Sequence, residues 1–190
     1  GVLPLSLNVD YWDYLGWRDT LGSAEFTKRQ RDYAQRRGDG QVYTPQMVID
    51  GVRHFVGSKK QEVLKAIGDI EAKEGSAVDM GLREHGDETV IDVAAAPDPA
   101  LRQDATVWVL TVKPRISIAI ERGENTGRTI DYTNVVRRMM PAGMWSGDAV
   151  TLKLPRSDLY SGEMKACAAL LQVGGVGPII GAAWKSNPTG

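Results

Sequence analysis

The sequence has little of what builds a ready-made chemical centre. Its 190 residues include one cysteine and two histidines. One cysteine excludes an intramolecular disulfide and a multi-cysteine zinc site, and two histidines leave little material for other zinc constellations. No metal and no cofactor is called for. Net charge is lacking as well, since 23 basic groups oppose 24 acidic ones. Such a balance argues against a nucleic-acid partner, whose binding rests on phosphate neutralisation by a basic face. No apolar run approaches the ~18–20 residues of a membrane-spanning helix, which argues against a transmembrane segment. What is present, at 42% apolar residues, suits one large or two small globular domains, burying roughly 70% of the unfolded surface.

Residues 1–75 read as alternating strands and helices. Leu3, Leu5, Leu7 and Val9 alternate with other residues from the second position onward, a strand period with no preceding cap or turn. The chain is therefore expected to open inside an element, with a further strand and helix before Gly1 in the native protein. Ser23 is a good N-cap, Glu25 suits a first helical turn, and Gly38 after Arg36-Arg37 is a stop, so a helix is predicted between them. Phe26, Tyr33 and Ala34 share its apolar side. Residues 46–49 read as a strand, Asp50-Gly51 as a hairpin turn and residues 54–57 as the partner strand. A second helix is predicted from Ser58, with Gln61 completing a capping box, an apolar stripe of Val63, Leu64, Ile67 and Ile70, and Gly75 as its end.

Past Gly75 the pattern changes to short β-branched or alternating runs. They centre on Val90, residues 107–112, 116–120, 130–136, 150–154, 168–173 and 179–183, and are separated by Gly, Pro, Asp and Asn. Seven such runs predict an antiparallel β-sandwich over residues 76–190. Gly174-Gly175-Val176-Gly177 lies between two of them with no helix after it, which makes it a hairpin connection rather than a phosphate loop.

The order strand, helix, hairpin, helix matches the back portion of a thioredoxin-like fold. Thr44-Pro45 stands where that fold commonly places a cis X-Pro bond, just before an antiparallel strand, and a cis bond is expected here. The predicted class is thus α/β plus all-β: a partial thioredoxin-like domain over 1–75, lacking its first strand and helix, then the sandwich.

Three blocks carry a closer likeness: Asp10-Tyr11-Trp12-Asp13-Tyr14-Leu15-Gly16-Trp17, Tyr43-Thr44-Pro45-Gln46-Met47-Val48, and Gly123-Glu124-Asn125 with Gly127-Arg128-Thr129 and Asn134-Val135-Val136-Arg137. In this order they resemble a bacterial secreted family catalogued as domain of unknown function 1223, over nearly the whole chain. The resemblance implies a periplasmic or secreted protein with thiol–disulfide chemistry and an extended peptide or protein as substrate. Members typically carry a Cys-x-x-Cys-Pro-Pro segment upstream of the aromatic block. That segment is not in this sequence, and Asn8 stands where similar sequences often have His. With one thiol, the chain as written is expected to be inactive in thiol–disulfide exchange, which needs an attacking thiolate and normally a resolving thiol. Cys167, in an apolar run, reads as a buried small residue.

The candidate substrate-binding residues are Thr44, Pro45, Tyr11 and Trp12. Thr44 would offer backbone hydrogen bonds to an extended peptide, and Tyr11 and Trp12 would flank it. The competing reading places Trp12 and Trp17 as plugs of the domain core or of its contact with the β-sandwich. Asp10 and Asp13 read as solvated or capping carboxylates rather than an acid–base pair. His54 lies in the hairpin and His85 in a polar turn, neither as a ligand. Arg128, Arg137 and Arg138 form a local basic group on a predicted strand face. A non-enzymatic protein that binds a peptide, glycan or envelope partner is the alternative function.

Overall fold

A computed structural model describes residues 1–15, 18–74, 78–120, 126–162 and 164–186. The expected helix stop at Gly75, Trp17 and the Gly123-Glu124-Asn125 block lie outside the described residues. The architecture is mixed α/β, with its strands in antiparallel sheets. The helix α1 (Ala24–Arg37) forms as its caps dictate. Ser23 accepts from the Glu25 N–H, and Gly38, at φ 79°, donates its N–H back to Ala34 and Gln35. The hairpin β1 (Gln46–Ile49) and β2 (Arg53–Val56) turns through Asp50 and Gly51, both with positive φ. β2 starts one residue earlier than expected.

The helix α2 (Lys60–Glu74) begins two residues past Ser58, so Ser58 does not cap it. It buries Val63 and Ala66 against Ile49, with Phe55, Ile67 and Ile70 around them. Leu64, placed on the apolar stripe by spacing, is 55% exposed. The covered face is narrow because α2 packs on a two-stranded hairpin, and small Ala66 takes the close position.

The remaining strands are β3 (Met80–His85), β4 (Glu88–Val93), β5 (Ala105–Ala119), β6 (Thr129–Trp145), β7 (Val150–Pro155), β8 (Ala166–Val173) and β9 (Ile179–Ser186), with a short helix α3 (Arg156–Leu159) after β7. One sheet has the order β3-β4-β7 and the other β6-β5-β8-β9. Runs 107–112 and 116–120, read as two strands, are the single strand β5. Pro114 lies inside it, past Val112, where pairing with β8 stops. A proline sits at a free edge without disrupting the ladder. The strand β3 was not among the expected runs, because Gly81, Arg83 and Glu84 dilute its apolar pattern.

The two sheets face each other across a core of Ile91, Val93, Val107, Val109, Trp145, Cys167, Ala169 and Leu171. Trp145 joins them further by donating its Nε1–H to the Ala94 carbonyl at 3.0 Å. The other face of the four-stranded sheet is also covered. There Leu110, Val112, Val136, Ala166, Ala168 and Leu170 meet Phe26 of α1, together with Leu3, Leu5 and Leu7. Leu3, Leu5 and Leu7 therefore share one face as expected, while Val9 is not part of that cluster, and the segment is not a regular strand. Ser6 alone makes a parallel bridge, to Val135, donating to Asn134 and accepting from Val136 at 2.9 Å each. Pro4 has no N–H to extend the ladder on that side.

A buried polar joint fixes α1 and the first hairpin to this sheet. Gln172, fully buried on β8, donates to the Tyr33 hydroxyl and to the Gly177 carbonyl, both at 2.8 Å, and accepts from Arg29. The Asp50 carbonyl accepts the Ile179 N–H at 2.8 Å. Gly174-Gly175-Val176-Gly177 is the β8–β9 connection on which the hairpin turn rests.

A Cβ at Gly51 would stand 2.2 Å from the Gly177 carbonyl oxygen at a φ of +72°, whereas Gly162, at +57°, has open space around it. Urea unfolding of Gly51→Ala should show a loss of about 2–4 kcal/mol, against about 1–2 for Gly162→Ala. Equal losses would mean the two turns are not in contact. Cys167 is fully buried beside the Tyr160 hydroxyl, 3.0 Å away, and burial first of all pushes its thiol pKa upward. A thiol reagent at neutral pH should label it only as fast as the chain unfolds. Because the shift is upward, the stability it contributes is full below the ordinary thiol range and lost as pH rises above it. Rapid labelling of the native protein would contradict this burial.

Candidate functional site

Three pieces of chain meet at the N-terminal side of the first hairpin: the aromatic loop after residue 9, the middle of α1, and the approach to β1. The loop is tied to α1 at its root. The Asp10 N–H donates to Thr27 Oγ1 at 3.0 Å, and Thr27 Oγ1 donates to the Asp10 carboxylate at 2.5 Å. Asp13 opens a short 3₁₀ turn (Asp13–Leu15) and accepts the Asp19 N–H at 3.0 Å. The two carboxylates are thus loop-closing acceptors with separate partners. Asn8 donates to Asp19 at 3.0 Å, so this position also serves the loop.

The four sequence-predicted site residues come together. The Thr44–Pro45 peptide is cis, as expected, and both residues are exposed. Trp12 Nε1 donates to Thr44 Oγ1 at 3.0 Å, and the Trp12 side chain is 46% exposed. Trp12 is therefore not a core plug. The Tyr11 ring lies 5.4 Å from the Trp12 ring, tilted by 51°. Tyr14 and Leu15, at 76% and 64% exposed, extend the apolar lip. The Pro45 carbonyl accepts the Gly57 N–H at 2.8 Å, which ties the approach to β1 to the end of β2.

The residue that joins these pieces was not visible in the sequence. Gln30 accepts from the Tyr11 hydroxyl at 3.0 Å and donates to the Tyr43 carbonyl at 2.8 Å and to Gln46 at 3.0 Å. No local signal marks a helical glutamine for this role, since its partners are 13 to 19 residues away in the chain. A second group was missed as well. His54, read as an ordinary hairpin residue, has its Nδ1 2.8 Å from the Tyr43 hydroxyl and its Nε2 3.1 Å from Asp39. Arg37 grips Asp39 through Nε at 2.9 Å and Nη2 at 3.2 Å. Hydrogen bonding from Arg37, then from the Gln41 N–H, holds the Asp39 carboxyl down at about 2.

Of the basic group on the strand face, Arg137 is committed to the carbonyls of Leu21 and Thr20 at 3.2 and 3.3 Å. It fastens the segment before α1 to β6. Arg138 is exposed. His85 is an exposed residue at the end of β3. Among the described residues, no three His, Cys, Asp or Glu side chains gather in a way that would hold a metal ion.

The site chemistry is thus that of a half-exposed aromatic lip over a fixed backbone turn, with an acid–imidazole–phenol series behind it. A comparison with curated proteins finds no match. A crystal structure of a protein from Agrobacterium tumefaciens, 31% identical, superposes with a TM-score of 0.83 over 98% of this chain and 81% of that one. The chain matches a family model over residues 1–172 and belongs to that family, described as protein of unknown function DUF1223.

Proposed function

We propose that residues 1–75 form a thioredoxin-like unit, that residues 76–190 form an antiparallel β-sandwich, and that the protein acts in the periplasm or outside the cell. Its role is to hold an extended peptide or protein substrate of thiol–disulfide type. The observation that carries this reading is the hydrogen bond from Trp12 Nε1 to Thr44 Oγ1. It sets an exposed indole beside the exposed Thr44-Pro45 turn. Aromatic side chains of this kind supply large contact area with few rotatable bonds. Thr44 then offers backbone groups to an extended chain, with Tyr11 and Trp12 flanking it. Gln30 keeps the two sides of this groove at a fixed separation.

The redox step itself needs two thiols, and these 190 residues hold one cysteine, which is buried. On this reading the residues here bind and orient the substrate, and a Cys-x-x-Cys of the kind found upstream in similar sequences does the exchange. The same burial of Cys167 favours a second reading, non-enzymatic binding of a peptide, glycan or envelope partner by the same lip.

The test is calorimetric titration with an unfolded, carboxymethylated polypeptide. Trp12→Ala should weaken binding about tenfold, or about 1.4 kcal/mol, while Leu64→Ala on α2 should leave it unchanged. Equal affinity in both variants would remove the groove. Insulin reduction by this chain alone should be absent, and turnover would overturn the division between binding and chemistry.

A further inference from the structure

The series Arg37–Asp39–His54–Tyr43 has a direction. Asp39 is clamped by the Arg37 guanidinium and the Gln41 N–H, which keeps it an anion that only accepts hydrogen bonds. The contact to Asp39 at 3.1 Å therefore requires the proton of a neutral His54 on Nε2. In that tautomer Nδ1 keeps its lone pair, and its partner at 2.8 Å, the Tyr43 hydroxyl, donates to it. A carboxylate, an imidazole and a hydroxyl in this order, with the base oriented by the acid and the hydroxyl proton aimed at the base, is the arrangement that activates a nucleophile. It lies near the surface: the His54 and Asp39 side chains are 21% and 26% exposed, and Tyr43 is partly exposed. Tyr43 also directly precedes Thr44 at the groove.

We propose that Tyr43 is a base-activated nucleophile, its phenol paired with His54 and oriented through Asp39, and that it takes acyl groups from activated esters. As the phenolic oxygen attacks the ester carbonyl carbon, His54 Nδ1 takes the phenolic proton. The new bond from the Tyr43 oxygen to the acyl carbon forms, and the bond from that carbon to the leaving oxygen breaks. The leaving group departs with the electron pair, while Asp39 stabilises the resulting imidazolium. This activity depends on neither the peptide groove nor any thiol.

The chain contains its own control. Tyr14 is 76% exposed, so simple access would make it acetylate before the partly buried Tyr43. The protein is treated with p-nitrophenyl acetate at neutral pH, and acetylation is followed residue by residue by mass spectrometry. Tyr43 should acetylate at least about a hundredfold faster than Tyr14 in the unaltered chain, the lower end of the roughly 10²–10⁴-fold range of general-base assistance. His54→Gln, which keeps hydrogen bonding but removes the base, should abolish that advantage. Asp39→Asn should reduce it, and circular dichroism should show both variants folded. Tyr14 labelling ahead of Tyr43 in the unaltered chain, or an unchanged Tyr43 rate in folded His54→Gln, would overturn the proposal.

Discussion

The structure depends on a four-stranded sheet that needs cover on both faces. Every residue of β8 from Ala166 to Gln172 is buried. Cys167, Ala169 and Leu171 point into the core shared with the three-stranded sheet, and Ala166, Ala168 and Leu170 point to α1 and the N-terminal segment. A strand apolar on both faces is stable only between two layers. Fully burying a Val, Leu or Phe contributes about 1.5–3 kcal/mol relative to exposure. Phe26 is buried and Leu3, Leu5 and Leu7 are partly so, and even a few kcal/mol from this layer counts in a marginal total. Gln172 interrupts the apolar face with a polar group whose unmet desolvation would cost about 1–3 kcal/mol. Its bonds to Tyr33, Arg29 and Gly177 meet that need and make one seating of α1 preferable to its neighbours.

The groove inherits its geometry from this packing. Phe26, Arg29 and Tyr33 recur along α1 at three- and four-residue spacing and face the sheet. Thr27, Gln30 and Arg37 lie on an adjoining stripe and reach the aromatic loop, the Tyr43 carbonyl and Asp39. The helix that completes the second face of the sheet is therefore also the part that positions Tyr11, Trp12 and Tyr43. Asp50 and Gly51 secure the other side of the hairpin on the β8–β9 turn.

Elements with local signals were legible from sequence, and elements fixed by distant partners were not. Ser23 and Gly38 bound α1 because caps act within a few residues, and Asp50-Gly51 marks its turn for the same reason. The continuity of β5 through Pro114 depends on where β8 ends, which no local pattern records. Leu3, Leu5 and Leu7 keep a strand period without being a strand, because the period reports a common face and not a ladder. Within the candidate site, Tyr11, Trp12, Thr44 and Pro45 were singled out by residue type and by family likeness. Gln30, Asp39 and His54 were not, since each acts through partners that only folding brings close.

Native-state hydrogen exchange on the chain and on Phe26→Ala tests the two-sided sheet most directly. If the second face is obligatory, the amides of β8 and of α1 open together. Phe26→Ala then lowers protection at Leu170 and at Tyr33 by the same factor, corresponding to about 3–5 kcal/mol. A loss of protection confined to α1, with the β8 amides unchanged, would contradict the account.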